Sequence, residues 1–521
     1  MADESMPGDA DAVERPTTTT PTELKKHART HRGAEMLPSS SLDTGRFGRM
    51  FRHLPVFEQP PSHLRKLAAK MVSSGSPAEN PDIPSGYTYL GQFIDHDITF
   101  DTVSSMQRQN DPDALHNFRT PRFDLDSLYG RGPSDQPYMY ETVGGKTLFK
   151  LGERVDDFGD EASAGPDLPR NEPRRRGDAD VFFGRALIGD PRNDENTIVS
   201  QLHLTFLKFH NKVIEHVADT TPLRGENLFK EAQRLVRWHY QWVVVHDFLR
   251  RIVGGAVVDD ILRSETYVSG GTGEEIAILR PRFQFYTPRE QAYMPVEFSV
   301  AAYRFGHSMV RGRYDINTFV KNARGDQGPI PIFGREEPPD ELSNLNGFRR
   351  LPAQWGIEWK FFFEFPDTDV QPQPSLRIDP LLAGPLATLP PSVASDPPPS
   401  LAERNLLRGL RLGLPAGTTV ARAMCVDPLD AAQLDLNDLS EELSLHPPLW
   451  YYILKEAEIL ADGRKLGPVG GRIVAEVLLG ILANDPLSYL GVAPCWRPEP
   501  PLARDDGTFD TPQLIRFAQE P

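Results

Sequence analysis

From about residue 46 onward, apolar residues recur at helical spacing along this chain. Ile198, Leu202, Phe206, Phe209 and Val213 form one stripe, and Leu235, Val236, Trp242, Val243, Phe248 and Ile252 run along a second long segment. Such stripes predict amphipathic helices sharing a core. NLLRGLRLG and LWYYILKEAEILAD read as a further helix pair, and GGRIVAEVLLGILA closes the apolar pattern. Two Gly/Pro-rich stretches, roughly residues 265–290 and 366–400, hold too many helix breakers for regular structure and read as long surface excursions. The Thr-, Pro- and acid-rich residues 1–45 lack periodicity and read as a disordered arm. With no internal repeat and no break in composition, the pattern predicts a mainly α protein. It has one large helical domain over 46–495, long irregular loops, little β structure, and an irregular tail over 496–521.

Composition narrows the partners. The chain has 521 residues, 39% hydrophobic and 25% charged, with a formal charge of -16; this excess of acid disfavours nucleic acid or an anionic membrane surface as a partner. No segment offers the roughly 20 uninterrupted apolar residues that a membrane span needs. The N-terminus lacks a basic start followed by an apolar run, so a cytoplasmic location is the default expectation, with non-classical secretion as the alternative. Cys425 and Cys495 are the only cysteines, too few for a disulfide framework.

Candidate chemistry lies in five segments. GQFIDHDITFD, residues 91–101, crowds ionisable groups into an amphipathic stretch; on a helix, Gln92 and His96 share one face while Asp95 and Asp97 flank the imidazole and point elsewhere. In GDPRNDENTIVSQLHLTFLKFHNK, residues 189–212, Asp190-Pro191 suits a helix start, and Arg192 and Glu195 stand three residues apart. The pair also reads as a first-turn carboxylate beside a solvated arginine. His307 in VEFSVAAYRFGHSMVRGRY lies in a helical run of small residues that lets a bulky group approach the backbone, or it is simply a satisfied core histidine. ERNLLRGLRLGLPAG puts Asn405 and Arg408 one turn apart, as any basic amphipathic helix would. RTPRFDLDSLYGRG offers Thr120, Asp124 and Asp126 at alternating positions, which suits the hard oxygen ligands of Ca²⁺ or an Asx-rich turn, with Asp97 available as a further carboxylate.

Taken in order from about residue 50 to 490, GQFIDHD, LDSLYG, GDPRNDEN with its His-Asn helix, RFGH, NLLR and GLPAG resemble the animal-type haem peroxidase family, the peroxidase-cyclooxygenase superfamily, as in a bacterial-like member. The resemblance implies haem b, with His307 as proximal iron ligand and Asn405 accepting from its Nδ1–H. It implies that neutral His96 moves the peroxide proton, that Arg192 stabilises charge as the O–O bond breaks, and that Gln92 holds water or a small anion above the iron. Asp95 and Glu195 match the carboxylates ester-linked to haem in several members, and Asn196 stands where sulfonium-forming members have methionine, so a third link is not expected. Arg304 and Arg408 match the cations that hold the haem propionates. Thr120, the Arg122 carbonyl, Asp124, Asp126 and Asp97 match the calcium site.

The activity so implied is reduction of hydrogen peroxide through a ferryl intermediate, coupled to oxidation of halides, thiocyanate or small phenols. The fatty-acid dioxygenases on the same scaffold carry a tyrosine three residues before the proximal histidine, a position held here by Arg304, with Tyr303 about 100° around the helix. A non-catalytic adhesion or scaffold protein of this fold would have lost His96, Arg192 or His307, and all three are present. Without the resemblance, Asp95-His96-Asp97 also reads as a non-haem metal hydrolase site.

Overall fold

A computed structural model describes residues 45–519, apart from 73–74, 76, 101–114, 155–164, 172–183, 269–274, 290, 335–342, 353, 392 and 395. The N-terminal arm, up to residue 44, lies outside the described residues. The chain is mainly helical. Helix α1 (Pro61–Lys70) begins on its proline, whose missing N–H costs nothing in the first turn. Helix α2 (Gly86–Ile98) is buried on nearly every side. It starts on Gly86 because a Cβ there would stand 2.6 Å from the Phe362 carbonyl oxygen and closer still to the Phe363 ring.

The first predicted apolar stripe forms helix α3 (Thr197–Thr220), whose start is capped by the Asn196 side chain accepting from Val199 N–H at 2.9 Å. The second forms α4 (Gly225–Val243), which continues through a π-helical turn over Val244–Leu249 and ends at Val253. Both stripes face a common core, and Ile198, Leu202, Phe206, Phe209, Val213, Val236, Val243, Phe248 and Ile252 are buried. Helices α5 (Leu401–Arg411), α6 (Leu449–Ala461) and α7 (Pro468–Ala483) complete the predicted set. The α6–α7 corner is fixed by buried Glu456, which accepts from the N–H groups of Val469 and Gly470 at the start of α7.

Strands are short and peripheral. Among the described residues they form one three-stranded sheet and five two-stranded ones. In the largest, β1 (Gly45–Gly48) lies between β2 (His116–Asn117), antiparallel, and Met294–Pro295, parallel.

Three stretches depart from the pattern read in the sequence. The first Gly/Pro-rich stretch contains an antiparallel hairpin, Leu262–Val268 paired with Glu275–Pro281. The second is no surface excursion. Its Pro374–Leu376 strand pairs with Glu79–Pro84, and Ile378, Leu382 and Leu386 are buried, so its prolines shape a segment that packs on the core. The tail read as irregular over 496–521 carries helix α8 (Thr511–Gln519), packed on α3 through Phe517 against Phe209.

Asp247 secures that last helix. Its carboxylate accepts from Tyr87 Oη (2.8 Å), Arg251 Nε (3.0 Å), and the Thr511 N–H (2.9 Å) and hydroxyl (2.6 Å), joining α2, the end of α4 and α8. Asp247→Ala leaves several buried donors unpaired and is expected to cost about 3–5 kcal/mol. Urea unfolding of the variant beside the parent chain measures this.

Candidate active site

Helix α2 distributes its polar groups as its period dictates. Gln92 and His96, one turn apart, both face Glu195, whereas Asp95 and Asp97 serve other partners. Glu195 lies between the short 3₁₀ turn Pro191–Asp194 and α3. Its Oε1 accepts from Gln92 Nε2 and stands 3.9 Å from His96 Nε2. Asn196 caps α3 with its oxygen and donates its Nδ2 to Gln92 Oε1 at 3.2 Å, which leaves the amides and the carboxyl as one connected set.

His96 is held from behind. Its Nδ1 lies 2.8 Å from Asn193 Oδ1, and since an amide oxygen only accepts, the ring donates there and Nε2 carries the lone pair. Burial, reinforced by the Arg192 guanidinium, pushes His96 down to about 4, so the ring is neutral at pH 7. The other side of the Asn193 amide reaches His203, with Nδ2 3.0 Å from His203 Nδ1. His203 is fully buried on α3 and pushed by that burial to about 3.

Arg192 is largely spent on the scaffold. Its Nη2 donates to the carbonyls of His96 (2.9 Å) and Thr99 (2.7 Å) and to Asp190 (2.7 Å), and Nε also faces Asp190. Among the described residues only its Nη1 takes no hydrogen bond. Asp190 also accepts from Arg119 at 2.6 Å. Burial alone would raise its carboxyl, yet the Arg192 and Arg119 guanidiniums hold it well below the usual carboxylate range. These contacts clamp the end of α2 to the turn that carries Arg192 and Glu195.

His307 ends a different element. The predicted regular helix is instead a π-helical turn over Glu297–Ala301 followed by a 3₁₀ turn over Ala302–His307, with Ala301 at φ -125°, ψ -71° between them. This break sends the backbone off a straight helical course before His307, a common device where a functional side chain must be aimed. Asn405 on α5 reaches His307, with Nδ2 2.7 Å from Nδ1. A half-turn of this carboxamide presents its isosteric oxygen to a ring protonated at Nδ1, which is the form that frees Nε2 as a metal ligand. Burial, then Arg304, pushes His307 down to about 3, so the ring is neutral.

The two histidine-bearing elements meet at Asp95. Arg304 Nη1 stands 3.9 Å from Asp95 Oδ2, and the Tyr303 hydroxyl donates to the Gly91 carbonyl at 3.2 Å. Glu195 lies within electrostatic reach of Asp95; burial pushes its carboxyl up to about 7, yet 37% of its side chain is accessible. Beside His307, a Cβ on Gly306 would meet nothing within 4 Å. The space over Gly306 beside His307, with Arg304 near Asp95 of α2, is compatible with a bulky planar group such as haem approaching His307. Arg408 lies on α5 one turn beyond Asn405.

The acidic loop forms a second cluster. Oxygen atoms of Asp97, Asp124 and Asp126 lie within 4.8 Å of one another. Thr120 donates to Asp124 at 2.8 Å, and the Ser127 hydroxyl and Leu125 N–H donate to Asp97 at 3.1 and 3.3 Å. Leu125 adopts φ +56°, an unfavourable conformation for a branched residue, which bends the loop around Asp97. Burial and the neighbouring aspartates push Asp97 well above the usual carboxylate range, and burial pushes Asp126 up to about 7. Asp126 Oδ1 is buried without a partner. Such concentrated acid with an unsatisfied oxygen fits a divalent cation. Arg122 sits in the loop, its N–H donating to the Thr120 carbonyl at 2.8 Å.

Residues 102–332 match the family model described as animal haem peroxidase. That stretch is similar to the animal haem peroxidases. The match takes in the acidic loop, Arg192, Glu195 and His307, while α2 and α5 lie outside it. A peroxidase-like protein of Margaritifera margaritifera is 26% identical over 290 residues, 48% of this chain and 34% of that protein. A peroxidase of Drosophila melanogaster is 23% identical over 272 residues, 48% and 36% of the two chains. The matched region thus spans about a third of the length of these relatives. Among solved structures, peroxidase A of Dictyostelium discoideum superposes with a TM-score of 0.54 at 15% identity, covering 85% of this chain and 87% of that one. An Oryza sativa fatty acid alpha-dioxygenase gives 0.53 at 14%, covering 89% and 77%. Likeness at such identity establishes the helical peroxidase–dioxygenase fold and does not separate the two activities.

Asn193, His203, Asp190 and Arg119 lie within the segments already singled out, but the sequence assigned none of them a part in either site. Asn193 and His203 stand ten residues apart across a change of helix type, so no periodic rule pairs them.

Proposed function

We propose that this chain is a haem-dependent peroxidase that reduces hydrogen peroxide and oxidises small anionic or phenolic donors: halides, thiocyanate or phenols. The observation that carries the reading is the state of His96, neutral, with Nδ1 engaged by Asn193 and Nε2 left basic on the side of the partly accessible Glu195. His307, steadied by Asn405, would hold the iron, with Arg304 and Arg408 facing the propionates. Haem bound there would supply the electrons that cleave the peroxide O–O bond. His96 Nε2 would take the proton from one peroxide oxygen and return it to the departing one. The free Nη1 edge of Arg192 would face the charge that develops, with the rest of its guanidinium fixed in place. Gln92, pinned between Glu195 and Asn196, would orient a water or anion in the same space.

The alternative of a fatty-acid dioxygenase has the structural likeness in its favour. Against it, Arg304 occupies the position three residues before His307, and the Tyr303 hydroxyl is engaged by the Gly91 carbonyl. The deciding experiment loads the chain with haem and follows donor oxidation by iodide, bromide, chloride, thiocyanate and a phenol, each with peroxide. A stoichiometric Soret band with peroxide-dependent turnover is expected. Oxygen uptake on a fatty acid without peroxide would instead select the dioxygenase, and a chain that takes up no haem would end both readings.

The partly accessible Glu195 side chain and Asp95 beside Arg304 support the reading that these two carboxylates form ester links to haem. Covalent haem is therefore expected after turnover with peroxide, and mass spectrometry of the acid-denatured protein should retain haem on the polypeptide. Asp95→Asn and Glu195→Gln should each remove one link; complete release of haem from the parent chain would refute the linkage.

A further inference from the structure

We infer that Asn193 is a positioning residue which, by bridging two buried histidines through one carboxamide, holds His96 and His203 in opposite tautomers and so keeps His96 Nε2 free of its proton. The inference deepens the peroxidase reading and rests on it.

Both contacts are made to Nδ1 atoms. His96 Nδ1 lies 2.8 Å from Asn193 Oδ1, and His203 Nδ1 lies 3.0 Å from Asn193 Nδ2. An amide presents an acceptor at one end and a donor at the other, so it cannot satisfy two rings in the same tautomer. With its oxygen toward His96, that ring donates from Nδ1 and keeps the lone pair on Nε2. With its nitrogen toward His203, that ring accepts at Nδ1 and carries its proton on Nε2.

Turning the amide over would exchange the two states and put the proton on the nitrogen that faces Glu195, 3.9 Å away. Two features oppose free turning. Asn193 is fully buried in the 3₁₀ turn, and its neighbour Arg192 is tied to Asp190 and to the end of α2. His203 is likewise fully buried, packed edge-on to Phe93, and its Nε2 has no partner among the described residues. An unmade hydrogen bond kept in a core is the kind of defect that persists where the arrangement serves a function. The charged groups around His96 are Arg192 and Asp190 from the turn, Asp95 from its own helix and Glu195 from the start of α3. None of them contacts Nδ1, so the tautomer is left to Asn193.

The test begins without haem, so it stands apart from the fate of the peroxidase reading. Nitrogen-15 spectra of the histidine-labelled chain, assigned with His96→Gln and His203→Gln, report which nitrogen of each ring is protonated. His96 should carry its proton on Nδ1 and His203 on Nε2. Finding His96 protonated on Nε2, or both rings in one tautomer, overturns the inference. In the haem-loaded chain, Asn193→Leu should slow association of hydrogen cyanide and of peroxide, which both need a proton removed, by about 10–100-fold. Carbon monoxide binding to the reduced protein, which needs no proton transfer, should be unchanged. Asn193→Asp keeps an acceptor at His96 Nδ1 and should restore the cyanide rate. An equal fall for all three ligands would mark a merely structural role and overturn the assignment.

Discussion

His96→Leu is expected to slow the reaction of the haem-loaded chain with peroxide by about 10²–10⁴-fold, the usual contribution of a positioned general base. Stopped-flow mixing with peroxide measures it, with the Soret band confirming that haem is still held through His307. The substitution leaves the Arg192 bonds to the backbone carbonyls of residues 96 and 99 in place. A fall of less than about threefold would place the base elsewhere. The same residue sets the acid limb. Because burial pushes His96 down to about 4, the base is present above that value and lost as pH falls through it. The sign for stability follows. An unfolded imidazole titrates near 6.5, so between about 6.5 and 4 the unfolded chain binds the proton first and the folded state loses stability as pH falls. Peroxide reactivity should therefore persist to lower pH than an exposed histidine would allow, until unfolding intervenes.

Calcium should produce the second large effect. Asp97, Asp124 and Asp126 are gathered within 4.8 Å with Asp126 Oδ1 unpaired, so the cation-free fold carries carboxylate repulsion that a divalent ion removes. At free calcium about a thousand times the dissociation constant, mass action adds about 4 kcal/mol to stability. Activity should fall along with stability on stringent chelation, because Asp97 directly follows His96 and helix α4 braces the loop. Arg237 donates to the Asp124 carbonyl at 2.5 Å and Gln241 to that of Phe123 at 3.0 Å. Thermal unfolding and peroxidase turnover, each with and without verified calcium removal, measure both. Identical midpoints and rates in the two states would dismiss the site, and Asp124→Ala should abolish any response to calcium.

Much of the helical framework could be read from spacing alone. The stripes of α3 and α4 and the closing pair α6 and α7 are long enough for periodicity to be unambiguous, and most of their apolar positions are buried. The division of labour on α2 was equally legible, since Gln92 and His96 on one face and Asp95 and Asp97 off it follow from helical geometry. Where local pattern and tertiary packing disagreed, packing prevailed. Prolines over 366–400 suggested an excursion, but Ile378, Leu382 and Leu386 sink into the core. The tail had too short a pattern to announce α8, which exists because Asp247 and Phe209 receive it. The run around His307 looked helical by composition, and only contacts from α5 and α2 reveal the π and 3₁₀ turns that redirect it.

The sequence by itself determined the inventory: which ionisable groups exist, which share a helix face, and that their order along the chain resembles the haem peroxidases. It did so because side-chain chemistry and helical period are local properties. Tertiary structure alone decided the states of those groups. Whether His96 is neutral depends on burial and on Arg192, and which of its nitrogens carries the proton depends on the Asn193 amide. Whether the aspartates of the loop can share a cation depends on a helix nearly thirty residues earlier. Desolvation and hydrogen-bond direction act through space over a few ångströms, and separation along the chain does not encode them.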